Sequence, residues 1–246
     1  MMFSELAILF FTGMISGTMN SLAGGGSFLA FPMLVFLGLP PIGANASATA
    51  AMWPGTLATL VAYRKDLEAN RGKLPIYVAI SLVGGGIGAA ILLVLSNDAF
   101  AVMVPYLLLA ATLLFTFRAR LLRWVHRAPH LSSVTWLLFA IVCVYCGFFG
   151  AGTGILLLAL FGIMGMHDIH EMNALRSSIG LAANSIALGI FAVFGLVHWP
   201  QAIVMGAGGV VGGYISAHYF RKLPVAWART IVVAIAWTMT LYFFLR

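Results

Sequence analysis

The residues in this chain with chemistry to offer are small and mostly neutral. Gly24, Gly25, Gly26 and Ser27 come soon after Asn20 inside an apolar stretch, and Gly150, Gly152, Thr153 and Gly154 echo them, Gly26 and Gly154 standing 128 residues apart. A glycine run there breaks a helix. A broken helix exposes unpaired amides and the positive end of its dipole, so two such ends converging bind an anion without a buried cation. Asn20, Ser27 and Thr153 add neutral donors at the breaks. Asn45, Thr49, Asn173 and Ser177 fall at the starts of the following long helices, the two asparagines again 128 apart. There they line the same route or, in the blander reading, cap and glue helices. Arg176, about one turn beyond Asn173, is either an anion contact or a side chain that snorkels to the interface.

Other chemistries find no support. Cys143 and Cys146 are one turn apart with no further thiol or histidine ligand nearby, which suits buried small side chains and no metal site. His167, His170, His198 and His218 fall near helix ends, and no carboxylate sits near the middle of a predicted helix to relay protons. Gly24–Gly26 lacks the Gly-Lys-Ser/Thr of a nucleotide loop. No nucleophile, metal cluster or carboxylate pair shares a depth, so neither an enzyme nor a cofactor is expected.

The elements that must position these residues are membrane helices. The chain is 62% hydrophobic and 8% charged, against roughly 25% charged in a soluble protein. Its apolar runs do not alternate as barrel strands would. The net charge of +7 sits in short connections, which marks topology and not nucleic-acid binding. The first apolar stretch has no basic leader before it and reads as a retained helix.

Helices are predicted over about 5–22, 27–37, 42–63, 74–95 and 99–117, then 132–149, 155–166, 172–194, 200–219 and 224–246. The second segment of each set is too short to span comfortably. This gives an all-α polytopic membrane protein of two repeats, 1–117 and 132–246, joined by a basic cytoplasmic linker, 118–131. The connection 64–73 and the turn at Arg221-Lys222 are also placed in the cytoplasm. Gly85-x-x-Gly88 and Gly209-x-x-Gly212, 124 residues apart, continue the duplication. Five segments is an odd number, so the second repeat is expected in inverted topology.

Gly13-x-x-x-Gly17, Ala23-Gly24-Gly25-Gly26-Ser27 with Pro32, Leu37-Gly38 and Asn45-Ala-Ser47-Ala-Thr49 resemble the sulfite exporter TauE/SafE family of membrane permeases. Gly147-x-x-Gly150-x-Gly152-x-Gly154, Asn173-Ala174 and the surroundings of Asn184 fit its repeated pattern. The resemblance covers essentially the whole chain. It implies an internally duplicated, multi-pass inner-membrane protein in contact with the lipid bilayer, compatible with a homo-oligomer, exporting sulfite, sulfoacetate or another small organosulfur anion. It also implies drive from a proton or other ion gradient. The second break lacks a full triple glycine, and no counterpart of Pro32 occurs around Leu160, so the specific anion stays open. The expected function is alternating-access transport of an anion held at the paired helix ends; the alternative is a non-transport membrane scaffold or partner-binding subunit.

Overall fold

In a computed structural model, the structure describes residues 3–23, 25–62, 64–125, 132–166, 168–219 and 225–245. Among these the chain forms ten α-helices: α1 (Phe3–Ala23), α2 (Ser27–Phe36), α3 (Pro41–Ala62), α4 (Leu74–Val94), α5 (Asn97–Val125), α6 (Ser132–Phe148), α7 (Thr153–Ile163), α8 (Ile169–Val193), α9 (Trp199–Tyr219) and α10 (Val225–Leu245). Leu74–Val94, Asn97–Arg118 and His170–Val193 are each long and apolar enough to cross a bilayer. Val83, Val102, Leu137 and Ile203 are more than half exposed. Water would not tolerate that surface; lipid does.

Most helix ends fall near the predicted positions, and the differences have local causes. α8 begins at Ile169 because the Asp168 carboxylate caps it, accepting a 2.8 Å hydrogen bond from the His170 amide. α5 continues past the expected end at 117, carrying the start of the basic stretch on its last turns, and the Arg120 guanidinium lies over the Phe117 ring. Residues 126–131 of the predicted linker, and the basic turn at Arg221-Lys222, lie outside the described residues. The connection after α3 is a 3-10 helix, Arg64–Asn70.

Small residues decide which helices meet. Gly17 of α1 abuts the Gly209 carbonyl of α9, and Gly212 of α9 abuts Met14. The same packing recurs where α4 meets α6, with Gly85 against Gly147 and Gly88 against Val144. Lipid supplies no hydrophobic drive between helices, so glycine surfaces that let backbones approach hold such pairs together. Gly13 meets Met205 one turn before Gly17 meets Gly209, so α1 and α9 run parallel. Gly84 meets Cys143 where Gly88 meets Gly147, so α4 and α6 are parallel too.

These pairs sort most helices into two bodies, α1–α3 with α9 and α10, and α4 with α6–α8; α5 packs on α10 of the first and on α7 of the second and so bridges them. Each mixes helices from both halves of the sequence. The bodies meet chiefly where α3 lies on α8 and α5 on α10. Hydrogen bonds cross that seam from Trp53 Nε1 to Ser185 Oγ at 2.8 Å, between the Thr112 and Thr240 hydroxyls at 3.0 Å, and from Trp237 Nε1 to Thr116 Oγ1 at 3.2 Å.

Candidate substrate cavity

The two helix breaks are built differently. Gly26 is helical, φ −60° and ψ −34°, so no left-handed turn requires a glycine there. Close packing does. A Cβ on Gly26 would stand 2.5 Å from the Ser16 carbonyl oxygen and 2.9 Å from Asn20 Cβ, because α2 starts folded back beside the last turns of α1. A Cβ on Gly25 would meet Val232 Cγ1 of α10 at 2.5 Å.

At the second break Gly150 and Gly152 both adopt φ +77°, a left-handed conformation open to glycine at little cost. The Thr153 amide and hydroxyl both donate to the Gly150 carbonyl, at 3.3 and 2.8 Å, and the Ile155 and Leu156 amides turn back to Gly152. That leaves the Gly154 amide as the first-turn donor of α7 without a backbone acceptor among the described residues. Gly154 therefore belongs to the short helix and not to the break before it. A Cβ there would lie 2.9 Å from Arg176 Nη1 and 3.1 Å from Arg176 Cδ. The guanidinium thus lies across the positive end of α7. Placing a cation there costs about 0.3–1 kcal/mol, a cost that an anion between the two removes.

Between the bodies lies a cavity of about 100 Å³. One body contributes Asn20 and Ser27 from the first break with Met52, Thr56 and Thr59 of α3; the other contributes Cys146, Gly150, Thr153, Gly154 and Leu157 with Arg176, Ser177, Gly180 and Asn184 of α8. A smaller lobe of about 40 Å³ shares Ser27, Met52, Gly150 and Asn184 and adds Asn45 and Thr49. The larger lobe lies toward the end of α3 that leads into the basic connection, against which α8 also packs.

Apart from Ser27, the hydroxyls in the larger lobe have committed their protons. Thr56 Oγ1 donates to the Met52 carbonyl, Thr59 Oγ1 to Gly55 and Ser177 Oγ to Asn173, at 3.2, 2.9 and 2.8 Å. The donor groups at the wall are the Ser27 hydroxyl, the Asn20 and Asn184 amides, the Gly154 N–H and the Arg176 guanidinium. The last is planar and forked, which suits an oxyanion.

Of the predicted site residues, Asn20, Ser27, Thr153, Gly154, Arg176 and Ser177 line the larger lobe, and Ser27, Asn45 and Thr49 the smaller. Gly25, Gly26, Gly152 and Asn173 do not line either lobe: the first two pack helices, Gly152 sits against Ala111, and Asn173 offers its carbonyl to Ser177. Gly24, like His167, lies outside the described residues. Cys146, expected as an inert core side chain, is at the cavity wall, 3.9 Å from Asn184 Oδ1. Sequence reasoning did not select Thr56, Thr59, Gly180 or Asn184 for the site. Thr56 and Asn184 are themselves 128 residues apart, so the repeat offset carried a signal for that pair.

The model of the sulfite exporter TauE/SafE family matches residues 9–243. The chain is 27% identical to a "probable membrane transporter protein ORF9" of Sinorhizobium sp., over 88% of this chain and 84% of that one. It is 26% identical to a "probable membrane transporter protein" of Haemophilus influenzae over 96% and 92%, and 24% identical to the "probable membrane transporter protein YfcA" of Escherichia coli K12 over 96% and 88%. No solved structure matches. With a family match over nearly its whole length and helices built for lipid, the chain belongs to the sulfite exporter TauE/SafE family and is a multi-pass membrane transporter.

Proposed function

We propose that the protein exports a small sulfur oxyanion, sulfite or an organosulfonate such as sulfoacetate, by alternating access through the cavity between its two bodies. The observation that carries this reading is Arg176 laid across the first turn of α7 at the wall of a cavity lined from both helix breaks. Guanidinium, Gly154 amide and helix dipole all favour negative charge, while the threonine and Ser177 hydroxyls around them are turned onto backbone carbonyls. The cavity has room for several water molecules at about 10–15 Å³ each, which fits a small anion and not a nucleotide.

Inverted repeats, 1–117 and 132–246 about the 118–131 linker, supply the motion. If the fourth helix of one repeat packs on the first of the other, inversion requires those partners to run parallel, as α1 with α9 and α4 with α6 do. The bonded pair Thr112 and Thr240, 128 residues apart, is what a two-fold axis between repeats produces where equivalent residues meet. Rocking of one body on the other along the α3/α8 and α5/α10 seams then opens the cavity to each face in turn. An ion gradient drives the cycle.

The experiment is uptake into proteoliposomes of sulfite, sulfoacetate, sulfate, thiosulfate and small carboxylates, with proton and sodium gradients imposed separately. Saturable flux of a sulfur oxyanion supports the proposal. Folded protein with no saturable flux of any of these anions, recovered instead with a stable partner, favours the scaffold reading.

A further inference from the structure

The smaller lobe differs in chemistry from the larger one beside it. No charged side chain lines it, and three of its side-chain oxygens, on Thr49, Asn45 and Asn184, are left to accept. Thr49 Oγ1 donates its proton to the Asn45 carbonyl at 3.0 Å, so the hydroxyl has lone pairs left to offer. Asn45 Nδ2 donates to the Phe148 carbonyl at 3.0 Å in a buried contact, which leaves Asn45 Oδ1 as the free end of that amide. The Cys146 thiol points at Asn184 Oδ1, which fixes a second amide oxygen at the boundary between the lobes. Phe149 and Gly150, directly after the last residue of α6, complete this wall. The carboxyl end of a helix carries the negative pole of its dipole.

Against the Ser27 hydroxyl at the start of α2, these oxygens weight the lobe toward a cation. A small hard cation bound by neutral oxygens is favoured. We propose that the smaller lobe is a sodium site, with Thr49 Oγ1, Asn45 Oδ1 and Asn184 Oδ1 as side-chain ligands, and that Na⁺ bound there is the ion coupled to transport. The volume of about 40 Å³ holds one such ion with a water, at about 10–15 Å³ per water-sized occupant. The two lobes share Ser27, Gly150 and Asn184, so cation and anion sit side by side and attract. Linkage makes the effect reciprocal: Na⁺ tightens anion binding by the factor by which the anion tightens Na⁺ binding. The coupling rests on the anion reading of the larger lobe; the sodium site does not.

Two measurements test it. Equilibrium binding of ²²Na⁺ to purified protein, without anion, is expected to saturate and to resist competition by choline. Thr49→Val keeps the shape of the side chain and removes the ligand oxygen; it is expected to raise the half-saturating Na⁺ concentration about tenfold, the equivalent of one lost contact. Its thermal midpoint without Na⁺ is expected to match wild type. Absence of saturable Na⁺ binding, or identical binding by Thr49→Val, overturns the proposal. Anion uptake into liposomes is then compared in sodium and in choline media. Full flux in choline under a proton gradient overturns sodium coupling and leaves the anion site standing, whereas Na⁺ binding with no anion flux upholds the sodium site and rejects the anion reading.

Discussion

Arg176 and Gly154 form a unit in which the absence of one side chain makes room for the other. Because a Cβ on Gly154 would come within 2.9 Å of Arg176 Nη1, Gly154→Ala is expected to displace the guanidinium and lower transport kcat/KM about tenfold, some 1.4 kcal/mol. Arg176→Ala removes the charge and its forked donors and is expected to cost about a hundredfold, since hydrogen bonds to charged groups contribute about 1.5–3 kcal/mol. Arg176→Lys should recover only part of that, because an ammonium is a point charge and not a planar fork. Anion uptake normalised to folded protein measures all three. Wild-type rates in Arg176→Ala would remove the guanidinium from the site.

At the scale of helices, much of the architecture was legible before any coordinates. Apolar runs of membrane length, punctuated by glycine and proline, place ten segments within a few residues of their ends, save the C-terminal end of α5, which runs two turns further to Val125. What sequence could not supply was the reason for each glycine. Gly25 and Gly26 look in sequence like the clearest ligand contacts, yet a Cβ on either would strike Val232, Ser16 or Asn20; their glycine-only space is taken up by helix packing. Gly150 and Gly152 look weaker and are the ones that need the left-handed backbone. Equally hidden was Asn184, because a polar residue 15 positions into a helix gains meaning only when α6, α3 and the second break converge on it. Helix-packing glycines carry their own prediction. Gly17→Val forces a side chain onto the Gly209 carbonyl, and Gly147→Val does the same at Gly85. Each is expected to destabilise the fold by about 1–3 kcal/mol, the usual cost of overpacking, seen as a lower thermal midpoint in detergent. Unchanged midpoints would mean that these helices are not in close contact.

For the whole molecule, the division that matters is not the division of the sequence. α4 leaves the first half to join α6–α8, α9 and α10 return to α1–α3, and α5 bridges the two groups, so the cavity between the bodies is lined from both halves of the sequence. Periodicity and charge cannot reveal that exchange, because it is a property of which glycine faces meet. Charge does predict an orientation: a single cysteine replacing Lys73 is expected to react with a membrane-impermeant maleimide only from the cytoplasmic face, and one replacing Asp98 only from the opposite face. Both residues are exposed, so labelling from the same side would contradict the topology. The central claim, that an anion passes through this cavity, is tested most directly at Gly180. This residue lines the larger lobe, and a Cβ there meets nothing within 4 Å, so Gly180→Leu fills open space without disturbing a helix contact. The measurement is counterflow of labelled sulfite in proteoliposomes containing wild type or Gly180→Leu, at matched folded protein and matched thermal midpoint. The expected result is saturable counterflow in wild type and a loss of about a hundredfold in the variant, near 2.7 kcal/mol; wild-type counterflow through a folded Gly180→Leu protein would contradict it.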